Sequence, residues 1–164
     1  MPCTVESVRV HVLTGHHVVL LQAKDSNKLL PIWIGPDQAH SIATRIAGIA
    51  SERPLTHDLM MDTVTKLGAE VTRIVVKDLV SDDAGGGVFH GSLFLQVQGR
   101  ELEIDCRPSD AIALAVRCDA RILVADTVLD RSAIVAESED DQNLTVFKQF
   151  IESLPEDPQA PPAN

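Results

Sequence analysis

LFLQVQGRELEIDCRPSDAIALAV, residues 93–116, decides the fold. Leu93, Leu95 and Val97 alternate with Phe94, Gln96 and Gln98; beyond Gly99-Arg100 the alternation resumes as Leu102, Ile104 and Cys106 against Glu101, Glu103 and Asp105. Period-two alternation sends successive side chains to opposite faces of a strand, and a glycine-containing pair between two such runs marks a tight hairpin. With Gly99-Arg100 as the turn, Val97 is expected opposite Leu102, Leu95 opposite Ile104 and Leu93 opposite Cys106, all on one apolar face. Gln98, Gln96 and Phe94 then oppose Glu101, Glu103 and Asp105 on the polar face, which predicts Cys106 in the core and Asp105 outside it. Arg107-Pro108-Ser109-Asp110 breaks the alternation, and Ala111–Val116, apolar nearly all round, predicts a buried central helix.

Working outward, Val71–Val80 is rich in β-branched residues and reads as a strand, followed by an acidic glycine loop, Ser81–Gly87. Upstream, Arg53-Pro54-Leu55-Thr56 opens a helix whose Met60, Val64 and Leu67 lie at helical spacing and which stops at Gly68. Leu29–Ile34 is a strand ending at Gly35-Pro36, after which a helix is expected from Asp37 to about Ala50. Val8, Val10 and Val12 alternate with Arg9 and His11, so a hairpin through Thr14–His17 to Val18–Leu21 opens the chain. Downstream, Ile122–Val124 is a short buried strand, and Asn143–Leu154 carries Val146, Phe147, Phe150, Ile151 and Leu154 at amphipathic spacing. The expectation is an α+β fold, a single compact domain of mixed or antiparallel sheet with hairpins packed against three to four helices. Residues 1–135 form that domain, 136–154 an acidic link and amphipathic helix, and 155–164 a disordered tail.

Composition narrows the function. A net charge of −10 excludes a broad electrostatic grip on nucleic acid, so any such contact is local. Aromatic residues at 3% leave no base-stacking platform. Cys3, Cys106 and Cys118 suit neither a disulfide framework nor a zinc cluster. No run approaches the roughly 18 apolar residues of a membrane span, and Met1–Glu6 lacks the pattern of an export signal, which predicts a cytoplasmic protein.

Three helices begin alike, at Pro36-Asp37, at Pro54 with Thr56-His57-Asp58, and at Pro108 with Ser109-Asp110. Proline in the first turn and Thr or Ser at the cap are ordinary helix starts, and Thr56 and Ser109 are read as caps. Arg53 and Arg107, each just before a proline, add a second meaning: a helix N-terminus beside an arginine binds phosphate, and acids nearby can hold a divalent cation. Asp105 leaves the sheet two residues before Arg107 and five before Asp110, so strand end and helix start face one place. His57 and Asp58 join them only if the two Arg-Pro helix starts lie side by side. No Ser-His-Asp arrangement is suggested, and Gly85-Gly86-Gly87 lacks the lysine of a phosphate loop.

Taken together, Leu30-Pro31-Ile32-Trp33-Ile34-Gly35, Arg53–Leu59 and Asp105–Ala115 resemble the bifunctional nuclease domain family, and the similarity runs from about Val5 to Ile134. The resemblance implies a compact α+β domain that tends to form homodimers, and cleavage of both RNA and DNA with little sequence preference. One departure falls in the first helix, where the family pattern has glutamate before alanine and this chain has Gln38-Ala39 preceded by Asp37. On this reading the protein is a metal-assisted nuclease. Asp105, Asp110, Asp58 and Asp37 are the candidate ligands for Mg²⁺ or Mn²⁺, Arg53, Arg107 and Ser109 bind phosphate, and His57 handles protons. The alternative is a non-enzymatic regulatory module in which Arg53 and Arg107 pair with Asp58, Asp105 and Asp110 to hold the fold. Geometry separates the two, since a nuclease needs those acids in an open cleft and a structural network buries Arg-carboxylate pairs.

Overall fold

The computed structural model describes residues 1–81 and 87–135. The loop after Ser81, the acidic link, the amphipathic helix and the tail expected from the sequence lie outside those residues.

The chain runs β1 (Pro2–Val10), β2 (His17–Ala23), β3 (Lys28–Ile34), α1 (Pro36–Ile46), α2 (Thr56–Lys66), β4 (Ala69–Ser81), β5 (Gly87–Val97), β6 (Arg100–Cys106), α3 (Pro108–Cys118), β7 (Arg121–Val124), α4 (Asp126–Ser132) and β8 (Ile134–Val135). The strands form one sheet in the order β6-β5-β4-β7-β1-β2-β3-β8. Every pairing is antiparallel apart from β4 with β7. That mixed sheet with four helices is the expected α+β domain.

Buried Ala111 to Ala115 make α3 the centre of the helical layer. It packs on α1, α2, β4 and β5, and its fully buried Ile112 meets a core of Val19, Leu21, Leu30, Ile42, Ile74, Val76 and Leu93. Each such side chain contributes about 1.5–3 kcal/mol by leaving water.

The β5–β6 hairpin is present in a different register: Val97 pairs with Arg100, Leu95 with Leu102, Leu93 with Ile104 and Gly91 with Cys106. The turn residues are Gln98 and Gly99, with φ of 49° and 78°. A two-residue turn with both φ positive matches the twist of its strands and favours glycine second, which Gly99-Arg100 does not offer. The two-residue slip preserves the faces, so Asp105 stays on the polar side. Because β6 is an edge strand, however, Leu102 and Ile104 remain 47% and 41% exposed, and Cys106 is only half-buried.

Other boundaries shift for local reasons. The first strand ends at Val10, and Val12 and Leu13 project from the turn, each 90% exposed. α1 stops at Ile46 rather than near Ala50, with Gly48 at φ 67° closing it. α2 starts at Thr56, leaving Pro54 outside, and turns Met61 and Val64 toward the core while Met60 and Leu67 are exposed. Short α4 and β8 carry too few residues for periodicity to announce them.

Candidate active site

α2 and α3 bring their starts together. Gly91 of β5 sits where an added Cβ would lie 3.1 Å from the Cys106 carbonyl oxygen and 3.2 Å from the Pro108 nitrogen. The glycine lets the chain turn closely from β6 into α3. Arg107 is the extended residue before α3, and Pro108 fixes its first turn. None of α1, α2 and α3 has a side-chain N-cap: Gly35, Leu55 and Arg107 hold those positions, so Thr56 and Ser109 do not cap as expected. Ser109 is buried instead.

His57 occupies the inward stripe of α2, one turn before Met61, and is buried at 7% exposure. Its Nε2 lies 3.2 Å from Asp110 Oδ1 and its Nδ1 lies 2.9 Å from Ser41 Oγ. The hydrogen bonds assign the tautomer: Nε2–H donates to the carboxylate and the Ser41 hydroxyl donates to Nδ1. A Ser-His-Asp line thus exists that the sequence did not suggest. Ser41 is 2% exposed within α1, so its hydroxyl orients the imidazole and is sealed from any substrate.

Asp110 is the hub. Oδ1 also accepts from Gln38 Nε2 at 3.2 Å, and Oδ2 accepts from Arg107 Nε at 2.7 Å. Burial pushes its carboxyl up, but the Arg107 and His57 hydrogen bonds, the Arg107 charge and the Gln38 amide outweigh burial, and the net is below the usual carboxylate range. The side chain of Arg107 is 70% exposed, so a guanidinium held through Nε keeps its outer N–H groups toward solvent.

A second cluster stands beside this one. Arg117 Nε donates to Asp58 Oδ1 at 2.6 Å, and an Arg117 Nη donates to the carbonyls of Ala113 at 2.7 Å and Ser41 at 3.2 Å. Asp58 Oδ2 accepts from the Leu55 N–H at 2.8 Å. Burial raises the Asp58 carboxyl, yet the Leu55 N–H and the Arg117 hydrogen bond and charge bring it below the usual range. The Arg117 side chain is 6% exposed, so this pair ties α1, α2 and α3 together below the surface.

The remaining residues singled out from the sequence lie apart. Asp105 projects from the polar face of β6, its side chain 77% exposed and 3.3 Å from Lys77 Nζ. Asp37 is exposed in the first turn of α1, where Gln38 rather than its neighbour reaches Asp110. Arg53 is exposed ahead of α2 and makes no ion pair with a described residue. Asp37, Asp58, Asp105 and Asp110 therefore do not converge, and among the described residues no group of three or more His, Cys, Asp or Glu side chains is placed to hold a metal ion. Of these acids Asp110 alone bridges the starts of α2 and α3, where His57, Gln38 and Arg107 already donate to its oxygens. The site residues the sequence reading missed are Ser41 and Arg117; Gln38 was noted there only as a departure from the family pattern, without its contact to Asp110. Only His57, at an apolar-stripe position of α2, offered a sequence signal for a buried polar contact.

The sequence profile of the bifunctional nuclease domain matches residues 19–137. An uncharacterized protein of Mycobacterium tuberculosis is 32% identical over 162 residues, 93% of this chain and 94% of the relative. Bifunctional nuclease 1 of Oryza sativa subsp. indica is 28% identical over 121 residues, which is 71% of this chain and 35% of the rice protein. Bifunctional nuclease 2 of Arabidopsis thaliana is 29% identical over 113 residues, 66% of this chain and 33% of that protein. The chain thus spans about a third of each plant relative.

Proposed function

The chain belongs to the bifunctional nuclease domain family, and from that premise we propose that it hydrolyses phosphodiester bonds in RNA and DNA with low sequence specificity. The observation that carries the reading is Arg107, anchored through Nε to Asp110 at 2.7 Å while the side chain stays 70% exposed. Its outer N–H groups are free to bond the non-bridging oxygens of a phosphate and to stabilise charge as it grows in the transition state. Asp110, ionised at neutral pH, orients a water and takes its proton as the new P–O bond forms; the bond to the sugar oxygen breaks, and that oxygen takes a proton from solvent and leaves as the alcohol. His57, with both ring nitrogens engaged, acts through Asp110 and is a positioning residue. This replaces the direct proton transfer expected from the sequence.

Dimerisation belongs to the same proposal. The free edge of β6 with exposed Leu102 and Ile104 is the natural seam for a second copy. Among the described residues no helix is long and apolar enough to cross a membrane.

The competing reading, a non-enzymatic binding module, is supported by Asp58 and Arg117, whose pairing, with the guanidinium buried and the carboxylate half-buried, is the geometry of a structural network. Cleavage of labelled single-stranded RNA and DNA by purified protein, with Mg²⁺, Mn²⁺ or chelator, decides between them. The Arg107→Ala variant is expected to stay folded, with a modest fall in melting temperature from the lost contact with Asp110, and to lose at least 100-fold in rate; equal cleavage by both proteins, or none by either, favours the binding module. A strict requirement for Mn²⁺ or Mg²⁺ would return the cation to the mechanism.

A further inference from the structure

β1 meets β7 only at its start, where Met1 and Val124 exchange hydrogen bonds, Pro2 pairs with Leu123 and Cys3 with Ile122, and the two strands then part. The split opens a groove, floored by Val5 and Ile122 and walled by the C-terminal ends of α1 and α3, including Ile46 and Val116. Three cations line it, Lys24, Arg45 and Arg121, against one acid, Asp119. Lys24 and Arg121 are exposed and make no ion pair with a described residue. Arg45 is pinned to the wall, its Nε and an Nη each donating at 3.2 Å to the Val116 and Arg117 carbonyls. On a chain of net charge −10, such a cluster of cations is where a polyanion meets attraction instead of repulsion.

We propose that this groove binds single-stranded nucleic acid and feeds it toward Arg107, an inference that rests on the nuclease reading. The phosphates contact Lys24, Arg45 and Arg121, and the apolar floor receives the bases. α3 joins the two places, with Arg107 before its first residue and Val116 near its last. Its 11 residues span about 16 Å, and because α1 and α2 cover its middle a strand passing over the surface between the two places needs at least five nucleotides at roughly 3.4 Å each. Substrates of three nucleotides therefore fill the Arg107 site without reaching the groove, and substrates of ten engage both.

The test is binding and cleavage of a fluorescein-labelled ten-nucleotide oligothymidylate by the full chain and by a Lys24→Glu, Arg121→Glu double variant. The expected result is at least tenfold weaker binding by the variant and a salt slope lower by about 1.4, at ~0.7 per cation on a single strand. Its melting temperature and its cleavage of a trinucleotide should be unchanged. If the wild type cleaves and the variant binds and cleaves the decamer equally well, the groove proposal falls and the nuclease reading stands. If the wild type binds through the groove and cleaves nothing, the groove stands and the nuclease reading falls. Failure of the wild type to bind, or a concentration-dependent rise in mass that the variant abolishes, overturns the groove proposal, the second by assigning the groove to another copy of the chain.

Discussion

Gln38 Nε2 donates to Asp110 Oδ1 at 3.2 Å, on the same carboxylate oxygen that His57 Nε2 meets. The resemblance drawn from the sequence expects glutamate at position 38, and the amide leaves the hub of the site without that second negative charge.

Restoring that charge tests its meaning. Gln38→Glu sets two carboxylates against each other, which raises the pKa of one of the pair. A group whose folded pKa is raised weighs against the fold once the pH exceeds that value and stops doing so below its unfolded pKa. The variant should therefore melt below the wild type at pH 8 and approach it at pH 4. Added Mn²⁺ should recover part of the loss at pH 8, because the new carboxylate pair suits a hard cation. Thermal melts at the two pH values, with and without MnCl₂, check this; matching melts throughout would refute it.

What the sequence made legible here follows from period and local chemistry. The alternation of residues 93–106 and the apolar run after Pro108 yielded the hairpin and its buried helix, because those patterns are dictated within a few residues. The register slipped because turn geometry, not hydrophobicity, sets it. Pairing of the two Arg-Pro helix starts, stated only as a condition, is met by the contact of His57 with Asp110 across 53 positions. Ser41 and Arg117, and the contact of Gln38 with Asp110, were illegible because each gains its role from a partner on another helix, which no local pattern records. Asp105 misled because closeness in sequence to Arg107 stood in for closeness in space: its side chain leaves the polar face of β6 beside Lys77, 77% exposed, while the chain turns at Arg107-Pro108 into α3.

Asp58 and Arg117 should matter to stability before activity. Asp58→Ala leaves the Arg117 guanidinium, 6% exposed, without its counter-charge. Breaking a buried pair from one side costs about 3–5 kcal/mol, and the 38% exposure of Asp58 reduces the expectation to about 2–4 kcal/mol. Arg117→Met removes the charge and keeps apolar volume, and should cost about half as much. Urea denaturation of both variants measures the difference. A loss below 0.5 kcal/mol for Asp58→Ala, about the worth of an exposed pair, would remove this contact from the framework.

Acid should dismantle the helix junction in a defined range. Asp58 and Asp110 both have folded pKa values below the ordinary carboxylate value, so each contributes stability that is present above its unfolded pKa and disappears as pH falls through the folded one. Melting temperature should hold from pH 7 to about 5 and fall steeply below about 4, where unfolded aspartates take up protons. In Asp110→Asn the decline below pH 4 should be shallower, since one linked proton is gone. A pH profile parallel to that of the wild type would show that Asp110 is not among the groups responsible.

Gly91 is the backbone position on which the site depends. A methyl group there would lie 3.1 Å from the Cys106 oxygen, 3.2 Å from the Pro108 nitrogen and 3.3 Å from the Pro108 Cα, all backbone atoms with no rotamer to yield. Gly91→Ala must therefore push the turn from β6 into α3 outward by a few tenths of an ångström, carrying Arg107 and Asp110 with it. Overpacking of this kind costs about 1–3 kcal/mol. The hydrogen bond from His57 to Asp110, already 3.2 Å long, has little room to lengthen before it is lost. The proposed hydrolysis depends on the placement of Arg107 over a phosphate, so cleavage of a labelled oligonucleotide should fall by more than tenfold at a temperature where the variant is fully folded. Gly99→Ala is the control, because its φ of 78° strains a substituted residue while nothing lies within 4 Å of the added methyl. It should lose stability alone, and a matching loss of cleavage in both variants would mean that activity tracks folding and owes nothing to the position of the α3 start.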